Sequence, residues 1–167
     1  MRHAVCLCVL VSISLLAANT AAAAVWYVNV ANSGSPGEDG RSWETAFDSI
    51  QEGVDAAAEN PGDEVWVAAG DYTGEGYDGD NLVAVDTVLL MLEGVAIYGG
   101  FGGTETAREE RDFENNVTTI DGGGDDRCVI GASNARLDGF VLSGGFSEEN
   151  GGAMYNHRVS PVALMDD

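Results

Sequence analysis

Val65-Trp66-Val67-Ala68-Ala69-Gly70 is a short alternating apolar run that stops at glycine, and the chain returns to that pattern at three further places. These are Val95-Ala96-Ile97-Tyr98-Gly99-Gly100, Thr118-Thr119-Ile120-Asp121-Gly122-Gly123 and Phe140-Val141-Leu142-Ser143-Gly144-Gly145. Each run sets β-branched or aromatic residues at i and i+2, so that one face of a strand can be buried, and glycine then turns the backbone without a Cβ penalty. Starts about 20 to 30 residues apart are the spacing of stacked repeat coils. The pattern predicts a solenoid in which each run is one rung.

Upstream of the first run, Val25-Trp26-Tyr27-Val28-Asn29-Val30 alternates and reads as a strand, and the Gly- and Pro-rich stretch 32–40 reads as a loop. The period then changes. Phe47, Ile50, Val54 and Ala57 recur at three and four, Ser49 with Glu52 fits a capping box, and Pro61 stops the helix by Asn60. A helix with one apolar face, placed just before the first coil, covers the apolar end of a stack and blocks its strand edges. Phe47, Ile50 and Val54 are expected to face that coil. Residues 25–62 are therefore an N-terminal strand, loop and capping helix, and residues 63–167 the first coils.

Within 63–167, Asp86–Leu92 and Gly94–Tyr98 form one pair of apolar runs, and Arg127–Ile130 with Leu137–Leu142 another. Such pairs suggest strands on different faces of one prism. The charged stretch 102–116 is expected to project from the stack as a solvated loop or short helix. Ser160–Met165 reads as a further strand with no polar cap after it, so the chain is expected to be the N-terminal part of a longer solenoid.

The first 24 residues read as a signal peptide: Arg2 supplies charge, Ala4–Ala17 is apolar, and Ala21–Ala24 offers small residues for cleavage. The apolar run is too short for a spanning helix, which wants about 20 residues. The protein is thus expected to be secreted, extracellular or at a cell surface, with no membrane span after signal removal. Removing the signal discards Cys6 and Cys8, leaving Cys128 and no intrachain disulfide. Cys128 reads as a small buried hydrophobe, and one cysteine with one remaining histidine, His157, far apart in sequence, argue against a tetrahedral zinc site.

Acidic residues number 28 against seven arginines, which excludes nucleic acid as a partner, because a polyanion needs basic patches to displace its counterions. Most of these acids read as solvated surface. Calcium is the one cofactor the sequence suggests, at Asp78 with Asp80 around Gly79, and at Asp121 with Asp125 and Asp126 across Gly122–Gly124. Oxygen ligands on glycine loops suit that ion, and the second cluster is one imperfect copy of a glycine and aspartate repeat. Trp26, Trp43 and Trp66 lie in patterned apolar segments and read as packing residues before sugar-stacking ones.

Trp26-Tyr27-Val28, Ser42–Phe47, Ile50-Gln51, Gly62–Gly70, Gly94–Gly103 with Thr104-Glu105-Thr106, and Leu137–Phe140 with Gly144-Gly145 together resemble a known family. It is the N-terminal portion of secreted bacterial right-handed parallel β-helix proteins, pectate-lyase-like solenoids that include surface proteins with polymorphic outer membrane protein-type repeats. The resemblance implies an all-β fold, a right-handed parallel β-helix with an N-terminal capping helix. It also implies a non-catalytic exported protein that adheres or binds polysaccharide or cell-surface glycan. The alternative it implies is the N-terminal fragment of a polysaccharide lyase or glycoside hydrolase whose catalytic coils lie elsewhere, since that architecture serves many activities.

Overall fold

The computed structural model describes residues 23–74, 76–77, 84–148 and 150–156. Residues 1–22 of the expected signal, Asp78, Asp80, His157 and the expected strand Ser160–Met165 lie outside that set. The strands are β1 (Val25–Val28), β2 (Glu64–Ala68), β3 (Gly70–Tyr72), β4 (Gly76–Tyr77), β5 (Ala84–Val85), β6 (Thr87–Leu90) and β7 (Ala96–Phe101). They continue with β8 (Thr118–Asp121), β9 (Arg127–Gly131), β10 (Arg136–Asp138), β11 (Phe140–Ser143) and β12 (Met154–Asn156), and the helix α1 spans Ile50–Ala58. The fold is strand-rich with parallel sheets.

Three sheets are parallel throughout: β1-β2-β7-β10, β3-β8-β11 and β6-β9-β12. The chain visits them in the same order three times, through β2, β3 and β6, then β7, β8 and β9, then β10, β11 and β12. A small antiparallel hairpin of β4 and β5 interrupts the first pass. The registers stack like on like, Val65 beside Ile97 and Ile97 beside Leu137 in the first sheet, and Ile120 beside Leu142 in the second. Inward residues of all three sheets meet in one core, where Val28, Val65, Val67, Leu89, Ile97, Ile120, Cys128 and Val129 are fully buried.

The four glycine-stopped runs therefore do not form a single column. Those at Val65 and Val95 belong to the first sheet, those at Thr118 and Phe140 to the second. Leu137–Leu142 is likewise not one strand. Gly139, at φ +82, breaks it into β10 and β11 on different sheets, and a Cβ there would meet the Gly99 carbonyl oxygen at 2.8 Å. Only glycine accepts both the positive φ and that approach.

Helix α1 begins at Ser49, whose hydroxyl accepts from Gln51 N at 3.2 Å while the Glu52 carboxylate accepts from the Ser49 N–H. Ser49 is thus the cap the sequence predicts, but its hydroxyl takes the Gln51 N–H rather than the Glu52 N–H of a full capping box. Ile50, Val54 and Ala57 enter the core, and Gly53 lets the helix settle on β1 and β2, since a Cβ there would stand 2.7 Å from Val28 and 2.9 Å from Val65. Phe47, as expected, packs against the same core, stacking on the inward Trp26 with ring centroids 6.1 Å apart. Its backbone closes the outer edge of β1, with Phe47 N donating to Tyr27 O at 3.0 Å and Asn29 N to Phe47 O at 2.7 Å. Among the described residues no helix is long and apolar enough to cross a membrane.

Candidate functional site

The first sheet has a second buried face that the alternating pattern conceals. Tyr27, Trp66 and Tyr98 are register partners pointing away from the core, and Trp66 and Tyr98 are only 5 % exposed. Beyond Trp66 the register shifts so that Ala68 faces Phe101, which stacks on Trp66 at 4.7 Å, 11° from parallel. Trp43 closes the cluster edge-on to Tyr27 at 4.8 Å. The tryptophans pack, as their patterned segments predict, but across two faces of one sheet: Trp26 inward, Trp66 outward.

Residues 102–116 are the solvated loop with a short helical turn, Arg108–Glu110, that the sequence predicts, but instead of projecting they fold back along this outer face. Glu105 organises the turn by accepting from the N–H groups of Gly102, Gly103 and Thr104 at 2.6, 3.0 and 2.9 Å, and its own carbonyl accepts from Trp43 Nε1 at 2.9 Å. Burial pulls the Glu105 carboxyl upward, but those N–H groups outweigh it and hold the group below the usual carboxylate range. Arg108 reaches the sheet, 2.6 Å from Glu64, and donates to the Tyr98 hydroxyl at 3.0 Å. Arg111 and Arg136 both pair with Asp138, at 3.1 and 2.6 Å. Three guanidinium groups thus surround the Tyr98 ring, at 4.7, 5.1 and 5.5 Å from its centroid. Two of them, Arg108 and Arg111, come from the loop and hold it to the sheet, whereas Arg136 comes from β10 of the sheet itself. Hydrogen bonds from Arg136 first, then Arg111, keep Asp138 below the usual carboxylate range.

The glycine and aspartate turn predicted for calcium lies between the second and third sheets. Asp121 Oδ1 accepts from Gly123 N at 3.0 Å and faces the stacked turn at Gly144. Asp125 and Asp126 instead line a cleft of about 580 Å3 with Asp86, Arg127, Phe146, Ser147 and Glu148, so the structure separates Asp121 from the other two. Arg127 spans the cleft, donating to Ser147 Oγ at 2.6 Å and to Asn150 O at 3.3 Å. Phe146 stands half-exposed at its rim.

A different acidic group, absent from the sequence reading, is drawn together by the fold. Glu38 from the loop, Asp48 before α1 and Glu52 in its first turn place one carboxylate oxygen each within 4.8 Å of one another. Asp48 and Glu52 are four residues apart at the start of α1, a spacing that brings side chains together, but no spacing signal adds Glu38 from the loop. Burial first, then the charges of Asp48 and Glu38, push the Glu52 carboxyl above its usual value. Among the described residues this is the group of three whose carboxylates converge. Comparison with protein-family models, with curated proteins and with solved structures gives no match to this chain.

Proposed function

We propose that the three parallel sheets are the first coils of a right-handed parallel β-helix in an exported, non-catalytic protein that presents its outer face for adhesion or carbohydrate binding. The observation that supports this reading most is the order of strands: three successive passes through the same three sheets, each rung parallel to the last. Side chains from such an arrangement form ladders that run the length of a stack, a repetitive surface suited to a repetitive polymer. The cleft of Asp86, Asp125, Asp126 and Phe146 supplies carboxylates for calcium beside an exposed aromatic ring suited to a sugar face.

The experiment is thermal unfolding of the exported chain, followed by circular dichroism in calcium and then in excess chelator, paired with a glycan-array screen under both conditions. A midpoint raised by several degrees in calcium, with glycan signal lost in chelator, is expected. Indifference to calcium together with a blank array overturns the binding reading.

A further inference from the structure

Asp63 stands just before β2, only 5 % exposed, and both of its carboxylate oxygens are engaged: Oδ1 accepts from Ala24 N at 2.7 Å and Oδ2 from Trp26 Nε1 at 3.0 Å. In the uncut chain both donors are neutral. A buried carboxylate is ordinarily matched by a cation, because stripping it of water is expensive. Among the described residues the ion pairs are those of Arg108 with Glu64 and of Arg111 and Arg136 with Asp138, and none includes Asp63. Arg41 lies over the Trp26 ring, 3.8 Å from its centroid, and is likewise not among them.

The nitrogen that reaches Asp63 belongs to the stretch that reads as the end of a signal peptide. Small residues at 21–24 permit cleavage after Ala23, with Ala21 and Ala23 as the small pair, or after Ala24, with Ala22 and Ala24, and the sequence does not choose. The two cuts leave different amines. Cleavage after Ala24 removes the nitrogen from which Asp63 accepts, together with the Ala24 carbonyl, which accepts from Glu64 N at 2.9 Å and extends the β1 and β2 ladder by one residue. Cleavage after Ala23 keeps both and turns that same nitrogen into the α-amino group of the chain.

We propose that the exported chain begins at Ala24, one residue earlier than a 24-residue signal implies, and that its α-ammonium is the cation that pairs with Asp63. The inference rests on the reading that the chain is exported. Water adds across the Ala23–Ala24 peptide bond, hydroxyl to the Ala23 carbonyl carbon and hydrogen to the Ala24 nitrogen, and the released amine takes up a proton because its ordinary pKa, about 8, lies above neutral pH. The cut falls on the unfolded chain in transit, so the burial of Asp63 does not obstruct it. On folding, a charged donor then stands where the uncut chain has a neutral amide, and hydrogen bonds between ions are shorter and about twice as strong as neutral ones. The pair ties β1, the outermost strand of the first sheet, to the residue before β2, so that loss of the signal completes the first rung.

N-terminal sequencing and intact mass of the protein recovered outside a bacterial host that expresses it with its own leader give the first test. Ala24 is the expected first residue. Val25, or any other cut, overturns the proposal, and a chain kept inside the cell with its leader intact overturns the exported reading itself, so the two failures are distinct. Thermal unfolding gives the second test: chain 24–167, released from a fusion without a scar, should melt about 3 °C or more above the same chain preceded by Ala22-Ala23. Asp63→Asn should abolish that difference, which a packing effect of the two added alanines would not. The chain contains no lysine, so acetylation of the unfolded chain 24–167 modifies its α-amine, and after refolding the wild-type chain should show the same loss. Equal melting of the free, extended and acetylated chains overturns the pairing, as does a difference that survives in Asp63→Asn, and circular dichroism confirms that each form is folded.

Discussion

The side-chain amide of Gln51 does for Leu90 what a neighbouring strand would do. Leu90 N donates to Gln51 Oε1 at 2.9 Å, and Gln51 Nε2 donates to Leu90 O at 3.1 Å. Asp55 Oδ1 accepts the second amide hydrogen at 2.9 Å and so fixes which way the amide points. The Leu90 groups on the outer edge of β6 are thereby paired by a helix side chain and withdrawn from templating another strand. Gln51→Met keeps the bulk but leaves both Leu90 groups without partners, so it should cost about 1–3 kcal/mol. Urea denaturation measures the loss, and the Leu90 amide should exchange faster in the variant.

Asp63 is buried and receives two hydrogen bonds, from Ala24 N at 2.7 Å and from Trp26 Nε1 at 3.0 Å. Asp63→Ala strands the indole N–H of Trp26, itself 8 % exposed. The expected loss is about 1–3 kcal/mol, visible in denaturant midpoint and in near-ultraviolet dichroism of the tryptophan. A loss within experimental error would show that water takes the place of the carboxylate.

Gly53→Ala separates propensity from packing. In an open helix interior the change gains roughly 0.5–1 kcal/mol. Here the new methyl would stand 2.7 Å from a Val28 methyl and 2.9 Å from one of Val65, both on strands of the core. Overpacking of about 1–3 kcal/mol outweighs the gain, so the variant should melt lower. A higher melting temperature would mean that α1 shifts freely over β1 and β2.

Glu52→Gln relieves repulsion by Asp48 and Glu38 while keeping an acceptor for the Ser49 N–H. A folded pKa raised above the ordinary 4.5 means that this group favours the folded state below that value and loses the contribution as pH rises through the folded value. The variant should therefore be more stable at neutral pH, by about 0.5 kcal/mol for an exposed side chain, with the advantage vanishing in acid. Melting temperatures at neutral and acid pH decide it.

Glu105 has the opposite sign. Its folded pKa lies below 4.5, so its contribution is complete above that value and is lost as pH falls through the folded one. Acid should free the 102–105 turn before the core melts, exposing Trp43, whose indole N–H is held by the Glu105 carbonyl. Tryptophan emission should shift red ahead of the far-ultraviolet transition. A single coincident transition would contradict this order.

The sequence by itself determined the first strand, the glycine-stopped runs and the helix, but not the short strands β3, β4 and β5 or the break at Gly139 between β10 and β11. Alternation followed by glycine, the change of period between Phe47 and Ala57, and the Ser49 cap are local signals, and steric and hydrogen-bond preferences within a few residues enforce them. Only the tertiary structure decided which rungs stack, because the hairpin of β4 and β5 and the loop 102–116 alter the spacing without altering any rung's own pattern. It also decided that the first sheet is buried on both faces. Trp66 and Tyr98 alternate like ordinary outward residues, yet Tyr27 and Phe101 pack on Trp66, and a charged loop covers Tyr98 through arginines that reach carboxylates remote in sequence, Glu64 and Asp138. The approach of Glu38 to Asp48 and Glu52, themselves four residues apart at the start of α1, was hidden for the same reason: proximity across a fold depends on where the backbone returns, and no local preference encodes that.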